Sequence, residues 1–196
     1  MTELLREAEI LAPGEGTIVP LPGATMVFKA LSGLGASDFL VAEFTAEPGF
    51  AGPRPHVHRV HEELFYVLAG EFDFFLEDQT VRVGAGAFVA VRPGVMHDFR
   101  NAGAGPARWL GIVAPGGLER YFSEVHDLAV AGQLTDARQR ELRLRYDTEE
   151  PDAIPVGHWA APAEHRTCTC KLESEHEQTI HDGATCQRVG WPAGRL

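Results

Sequence analysis

The 196-residue sequence predicts an all-β sandwich or barrel followed by a short helical segment. Three observations carry this. From residue 17 to about residue 110, short apolar runs are broken at close intervals by turn residues, the pattern of many short strands. Gly (21) and Pro (13) are abundant, which favours turns over long helices. After Pro115, alternation gives way to a helical spacing through Leu118, Tyr121, Phe122, Val125, Leu128 and Ala129, one face of an amphipathic helix.

The candidate strands are residues 25–30, 39–45, 63–68, 72–76, 80–83, 87–91, 97–100 and 107–113. Between them lie turn signals such as Pro22-Gly23, Pro48-Gly49, Glu77-Asp78, Pro93-Gly94 and the 103–106 stretch. Gly132 ends the first helix, and Thr135 or Asp136 caps a second that runs to about Tyr146. Arg138, Arg140, Arg143 and Arg145 mix with Glu141 and read as a solvated helix face. These helices have two places to pack, a barrel face or a partner. The organisation is an N-terminal extension (1–16), a β-barrel (17–115), a helical extension (116–150) and a polar tail (151–196). The tail is poor in large aliphatics, so it is expected to be loosely ordered and to add little to the core.

Composition narrows the function. Apolar residues are 44% and charged residues 23% of the chain, ordinary for a soluble globular protein. A net charge of -11 repels nucleic acid and anionic membranes, so neither is an expected partner. No apolar run approaches the roughly 18 residues a spanning helix needs. The first ten residues mix acids and bases, unlike a secretion signal, and the expected location is cytoplasmic. Cys168, Cys170 and Cys186 are odd in number and lie near the end, which argues against a disulfide framework. With His158, His165, His176 and His181 they lack the paired spacing of a structural zinc site.

The chemistry concentrates in residues 52–70 and 84–101. On extended chain, residues two apart share a face, so His56 and His58 can present both imidazoles to one ion. A carboxylate opening the next strand can close on it. Parity does not choose between Glu62 and Glu63, because Leu64, Tyr66 and Leu68 share a face with one and Phe65 and Val67 with the other. His97 follows the Pro93-Gly94 turn, which fixes its direction as a distant ligand requires. His61, in the loop between, reads as a surface histidine, the alternative being a group that supports the ligands.

These segments resemble the cupins. His56-x-His58, four residues, Glu63, six residues and Gly70 fit the first cupin motif, and the count to Gly70 selects Glu63 over Glu62. Gly86, Gly94, His97 and Asn101 fit the second. Two departures concern loop shape. Gly49 and Gly52 flank the place of the leading glycine, and Arg92 holds the proline position with Pro93 following. The wording is most similar to small single-domain bacterial cupins of the quercetin 2,3-dioxygenase-like kind.

The resemblance implies a double-stranded β-helix (jelly-roll) barrel. It also implies one divalent transition metal (Fe, Mn, Ni, Co, Cu or Zn) held by His56, His58, Glu63 and His97, with Glu63 as the catalytic residue. The implied activity is a metal-dependent dioxygenase acting on a small phenolic or 1,3-dicarbonyl compound. The alternatives are a metal-dependent isomerase or lyase on a small organic acid or sugar, and a non-catalytic binding module. The expected partners are a small-molecule substrate, dioxygen and a second copy in a homodimer. Phe65, Phe72, Phe74, Phe88, Phe99 and Met96 make a greasy interior, about half of them pointing inward, which suits a flat aromatic ligand.

Overall fold

Alternating apolar residues need a second layer to cover them, and this chain supplies it by folding two sheets onto one core. The computed structural model describes residues 10–33, 38–153 and 158–159, all inside one compact unit, Met1–Ala163. The cysteines and His165, His176 and His181 of the tail lie outside the described residues.

Nine strands come first: β1 Thr17–Leu21, β2 Ala24–Ala30, β3 Leu40–Ala46, β4 Glu62–Ala69, β5 Glu71–Leu76, β6 Gln79–Gly84, β7 Phe88–Val91, β8 His97–Arg100 and β9 Ala107–Ala114. Helices α1 Leu118–Val130 and α2 Asp136–Arg145 follow. One sheet has the order β1-β2-β3-β9-β4-β7 and the other β6-β5-β8. This is the mostly β, double-stranded β-helix arrangement expected. The strand not anticipated is β1. Its Pro20 cannot donate to a ladder, and it is tolerated because β1 is an edge strand paired only with β2.

Both inner faces feed one core, in which Phe44, Phe65, Phe72, Phe74, Phe99 and Trp109 meet. Phe44 stacks on Trp109 with centroids 4.6 Å apart, and Phe65 and Phe99 meet the indole edge-on. Such pairs add roughly 1 kcal/mol each beyond the area they bury. Of the six interior candidates, Phe65, Phe72, Phe74 and Phe99 are buried, Met96 is half-buried, and Phe88 is 61% exposed on the outside of β7.

The helices pack back on the barrel. Leu118 is buried, and the Phe122 ring lies 6.1 Å from Phe28 of β2. Thr135 caps α2 by accepting from the Arg138 N–H. The Tyr146 hydroxyl donates to Glu124, tying α2 to α1. The chain then runs beside the barrel rim, where Val57 and Glu149 exchange main-chain hydrogen bonds of 2.8 and 2.9 Å. Among the described residues, no helix is long and apolar enough to cross a membrane.

The three-stranded sheet is covered on its outer face too. Asp73 of β5 stands opposite Arg82 and Arg100 on its two neighbours. Its carboxylate accepts from Arg82 Nε at 2.6 Å and Arg100 Nη2 at 3.1 Å. Phe75, on the same face, is buried beneath His158 and Trp159. Thus two residues of the region expected to add little to the core do pack against the barrel. Burial raises the Asp73 pKa, but the hydrogen bonds and charges of the two arginines outweigh it and hold it below its ordinary 3.8. A carboxyl depressed on folding stabilises fully above its unfolded pKa, and that contribution fades as pH falls through the folded one. Asp73→Asn is therefore expected to cost about 3 kcal/mol at neutral pH, because it leaves two guanidinium groups short of a partner. It should also flatten the acid limb below about pH 4. Urea titrations from pH 7 to pH 2 check both; an unchanged midpoint at pH 7 would refute the assignment.

Candidate metal centre

His56 and His58 lie on the extended segment before β4, Glu63 on β4 and His97 at the start of β8. Two contacts bring the first segment to β8 and the turn before it. His56 and His97 exchange main-chain hydrogen bonds of 3.0 and 2.9 Å. Gly94, at φ 90° in the Pro93-Gly94 turn, donates its N–H to the His58 carbonyl at 2.7 Å. The second motif's turn thus rests directly on the first motif's histidine, and its glycine supplies a φ that other residues adopt at a cost. Asn101 closes the far end, its amide group donating to Ala46, Glu47 and Gly105 carbonyls and its oxygen accepting from Gly103.

Gly52 shows how tightly the segment is set. Its φ is +80°, and a Cβ there would stand 1.7 Å from the Phe99 carbonyl oxygen of β8. Gly52→Ala combines that overlap with left-handed strain, and about 3 kcal/mol of lost stability is expected. Denaturant midpoints measure it; a loss under about 1 kcal/mol would mean that the loop relaxes freely.

All four sequence candidates come together. His56, His58, Glu63 and His97 are buried, and each offers a ligand atom within 4.8 Å of the others. Strand β4 turns Glu63 inward with Phe65 and Val67. Glu62 points outward and pairs with Arg92 at 3.6 Å, so the burial of one face decides what parity left open.

Hydrogen bonds set the direction of each imidazole. The Nδ1 atoms of His56, His58 and His97 lie 2.8, 2.7 and 3.0 Å from the carbonyl oxygens of Arg54, Asp147 and Val95. A carbonyl only accepts, so each Nδ1 carries the proton and donates it. The three Nε2 atoms are thereby aimed at the cluster, the usual way in which metal-binding histidines are oriented. His58 Nε2 is buried with no hydrogen-bond partner. Such an orphan is costly unless something else satisfies it, and a metal ion would. The donor set of three imidazole nitrogens and one carboxylate fits Mn, Fe, Co, Ni, Cu or Zn.

The charges are strongly coupled. Burial pushes the Glu63 carboxyl up, but the hydrogen bond from His97 Nε2 at 2.8 Å and the nearby imidazoles hold it at about 2. Burial pulls His97 down, yet the hydrogen bond and charge of Glu63 leave its pKa raised. Burial, reinforced by His97, depresses His56 to about 3. Glu63 is therefore ionised and His56 neutral at pH 7, the forms in which both ligate.

The cluster opens onto a cavity of about 310 Å³. Met26, Leu40, Phe44, Phe50, Phe65 and Trp109 wall it, and Tyr121 and Phe122 of α1 close one side. At the rim, Arg54 and Arg143 share one carboxylate, that of Glu150. Arg143 is thus half-buried at the cavity, whereas Arg138, Arg140 and Arg145 are exposed as expected.

Residues 42–113 match the family described as "Cupin domain". They form a cupin domain. Quercetin 2,3-dioxygenase of Bacillus subtilis (strain 168) is 28% identical over 101 residues, which are 52% of this chain and only 29% of that protein. Among solved structures, KdgF from Halomonas sp. superposes with a TM-score of 0.51 at 18% identity, covering 58% of this chain and 98% of that one. A predicted oxalate decarboxylase from Thermotoga maritima gives 0.50 at 20%, covering 54% and 97%. At such identities the structural likeness is one of fold. Strands β1 and β2 and both helices lie outside the matched cupin residues.

One residue at the centre escaped the sequence reading, and another takes the lesser of the two roles the sequence offered. His61 is not a surface histidine; it is partly buried, and its Nδ1 lies 2.9 Å from the Asp147 carboxylate. Asp147 carried no spacing signal, since it lies outside both motifs and meets the His58 ring through its main-chain carbonyl.

Proposed function

We propose that this cupin is a metal-dependent dioxygenase acting on a small phenolic or 1,3-dicarbonyl compound. The observation that carries the reading is the aromatic-walled cavity opening directly onto His56, His58 and Glu63 of the cluster that His97 completes. Apolar walls with a few convergent polar groups suit a flat, weakly charged molecule.

The four side chains would hold one divalent transition metal, and a bound redox-active ion supplies Lewis acidity and electron transfer with dioxygen. The chain's own work is positioning and proton transfer. Phe44, Phe65 and Trp109 hold the substrate flat and keep water away from the reacting atoms. Glu63, ionised, takes the proton of a phenol or enol hydroxyl onto a carboxylate oxygen, leaving the substrate as its anion.

Oxygen uptake by protein loaded in turn with Fe, Mn, Co, Ni or Cu, with quercetin and simple 1,3-diketones as substrates, tests the proposal. Metal-dependent uptake matched to substrate loss supports it. Substrate conversion without uptake would instead support the isomerase or lyase reading, and no conversion with any metal would leave only a binding module.

A further inference from the structure

Of the three imidazoles, two are oriented from within their own segment. His56 donates to Arg54 and His97 to Val95, each two residues upstream. His58 differs: the carbonyl two residues before it, that of His56, accepts from the His97 N–H. Its Nδ1 instead donates 2.7 Å across to the carbonyl of Asp147, in the helical extension. The same residue grips the loop that follows. Asp147 Oδ1 accepts from the Arg59 N–H at 2.9 Å, and Oδ2 from the N–H groups of Val60 and His61 at 2.8 and 3.0 Å. The His61 ring completes the set. This loop is the whole connection between His58 and Glu63, two members of the cluster.

The backbone of Asp147 is adapted to the task. Its φ is 57°, in the left-handed region just after α2, where aspartate is among the better-tolerated side chains. That turn directs its carbonyl and its carboxylate at the same stretch of chain. The paired main-chain bonds between Glu149 and Val57 hold the neighbouring residues in register. His58, His61 and Asp147 lie close enough to suggest a second ion site. They do not make one, since His58 Nδ1 is occupied by a carbonyl and the Asp147 carboxylate is filled by three main-chain N–H donors.

We propose that Asp147 is a positioning residue for the metal centre, so that the helical extension is a working part of the site. Its carbonyl sets the His58 ring and its carboxylate fixes the loop spacing between His58 and Glu63. The proposal rests on the metal reading given above. Removing a group that orients a ligand typically weakens metal binding about 10- to 100-fold.

Titration of metal-free protein with cobalt(II) alone, read by its d–d absorption, tests this. Asp147→Gly keeps the carbonyl and takes the left-handed backbone freely, so it removes the carboxylate alone. It is expected to weaken cobalt binding by about 10-fold or more. Asp147→Asn retains an acceptor oxygen and should recover part of that loss. Tyr146→Phe breaks the neighbouring tie to Glu124 without touching the loop, and should lower stability while leaving cobalt affinity unchanged. Wild-type affinity in Asp147→Gly would overturn the role given to the carboxylate, and an equal loss in Tyr146→Phe would overturn the proposal as a whole. Wild-type protein that took up no cobalt would overturn the metal reading and this proposal with it.

Discussion

His97→Ala is expected to abolish the stabilisation that a divalent transition metal confers on this protein. An ion that binds only the folded chain adds RT ln(1 + [L]/Kd), about 4 kcal/mol at a thousandfold excess over Kd, or roughly 10 °C in Tm for a chain of this size. His97 joins the two halves of the cluster, since it is bridged through its main chain to His56 and through Nε2 to Glu63. Its loss removes one donor and leaves the buried Glu63 carboxylate without its hydrogen-bond partner. The metal-free variant should therefore also be less stable, by about 3 kcal/mol, as when one member of a buried pair is deleted. Calorimetry with and without Mn, Co, Ni or Zn checks both parts. Because Glu63 raises the His97 pKa, protons should compete with the metal from a higher pH than for a free imidazole, whose pKa is near 6.5. The wild-type shift should accordingly shrink as pH falls, starting above that value. A variant that still gained the full shift would rule His97 out as a ligand.

Glu63→Gln, assayed at matched metal content, is expected to reduce turnover of a phenolic or 1,3-dicarbonyl substrate by about 100-fold or more, the usual worth of a positioned general base. The substitution preserves size and one acceptor oxygen but removes the carboxylate that receives the proton. It also frees His97 from the partner that raises its pKa, so the pH profile of the residual rate should move as well. Equal turnover in both proteins would confine Glu63 to holding the ion.

Much of this protein follows from local rules that a sequence displays. Alternating apolar residues and frequent Gly and Pro identify the strands. The helical spacing after Pro115 and the Thr135 cap mark the two helices. The pair His56 and His58 is legible because residues two apart on extended chain share a face. The choice of Glu63 over Glu62 is a different case, reached in the sequence through the cupin-motif spacing to Gly70 and not through strand parity. Both faces of β4 are apolar, and only the second sheet, lying over Phe65 and Val67, makes one of them interior. Tyr66, apolar in pattern, stays 46% exposed on the other. Phe75 is the converse, an outward residue buried because His158 and Trp159 cover it. Asp147 lies furthest from anything the sequence displays. Its link to His58 runs through a main-chain carbonyl, a group every residue has, and so it leaves no mark in composition or spacing. What the sequence by itself determined was the strand pattern and the types of side chain available to hold a metal. Which faces are buried, and which carbonyl aims each imidazole, was decided by the packing of distant segments, because burial and main-chain hydrogen bonds belong to the layer that arrives on top.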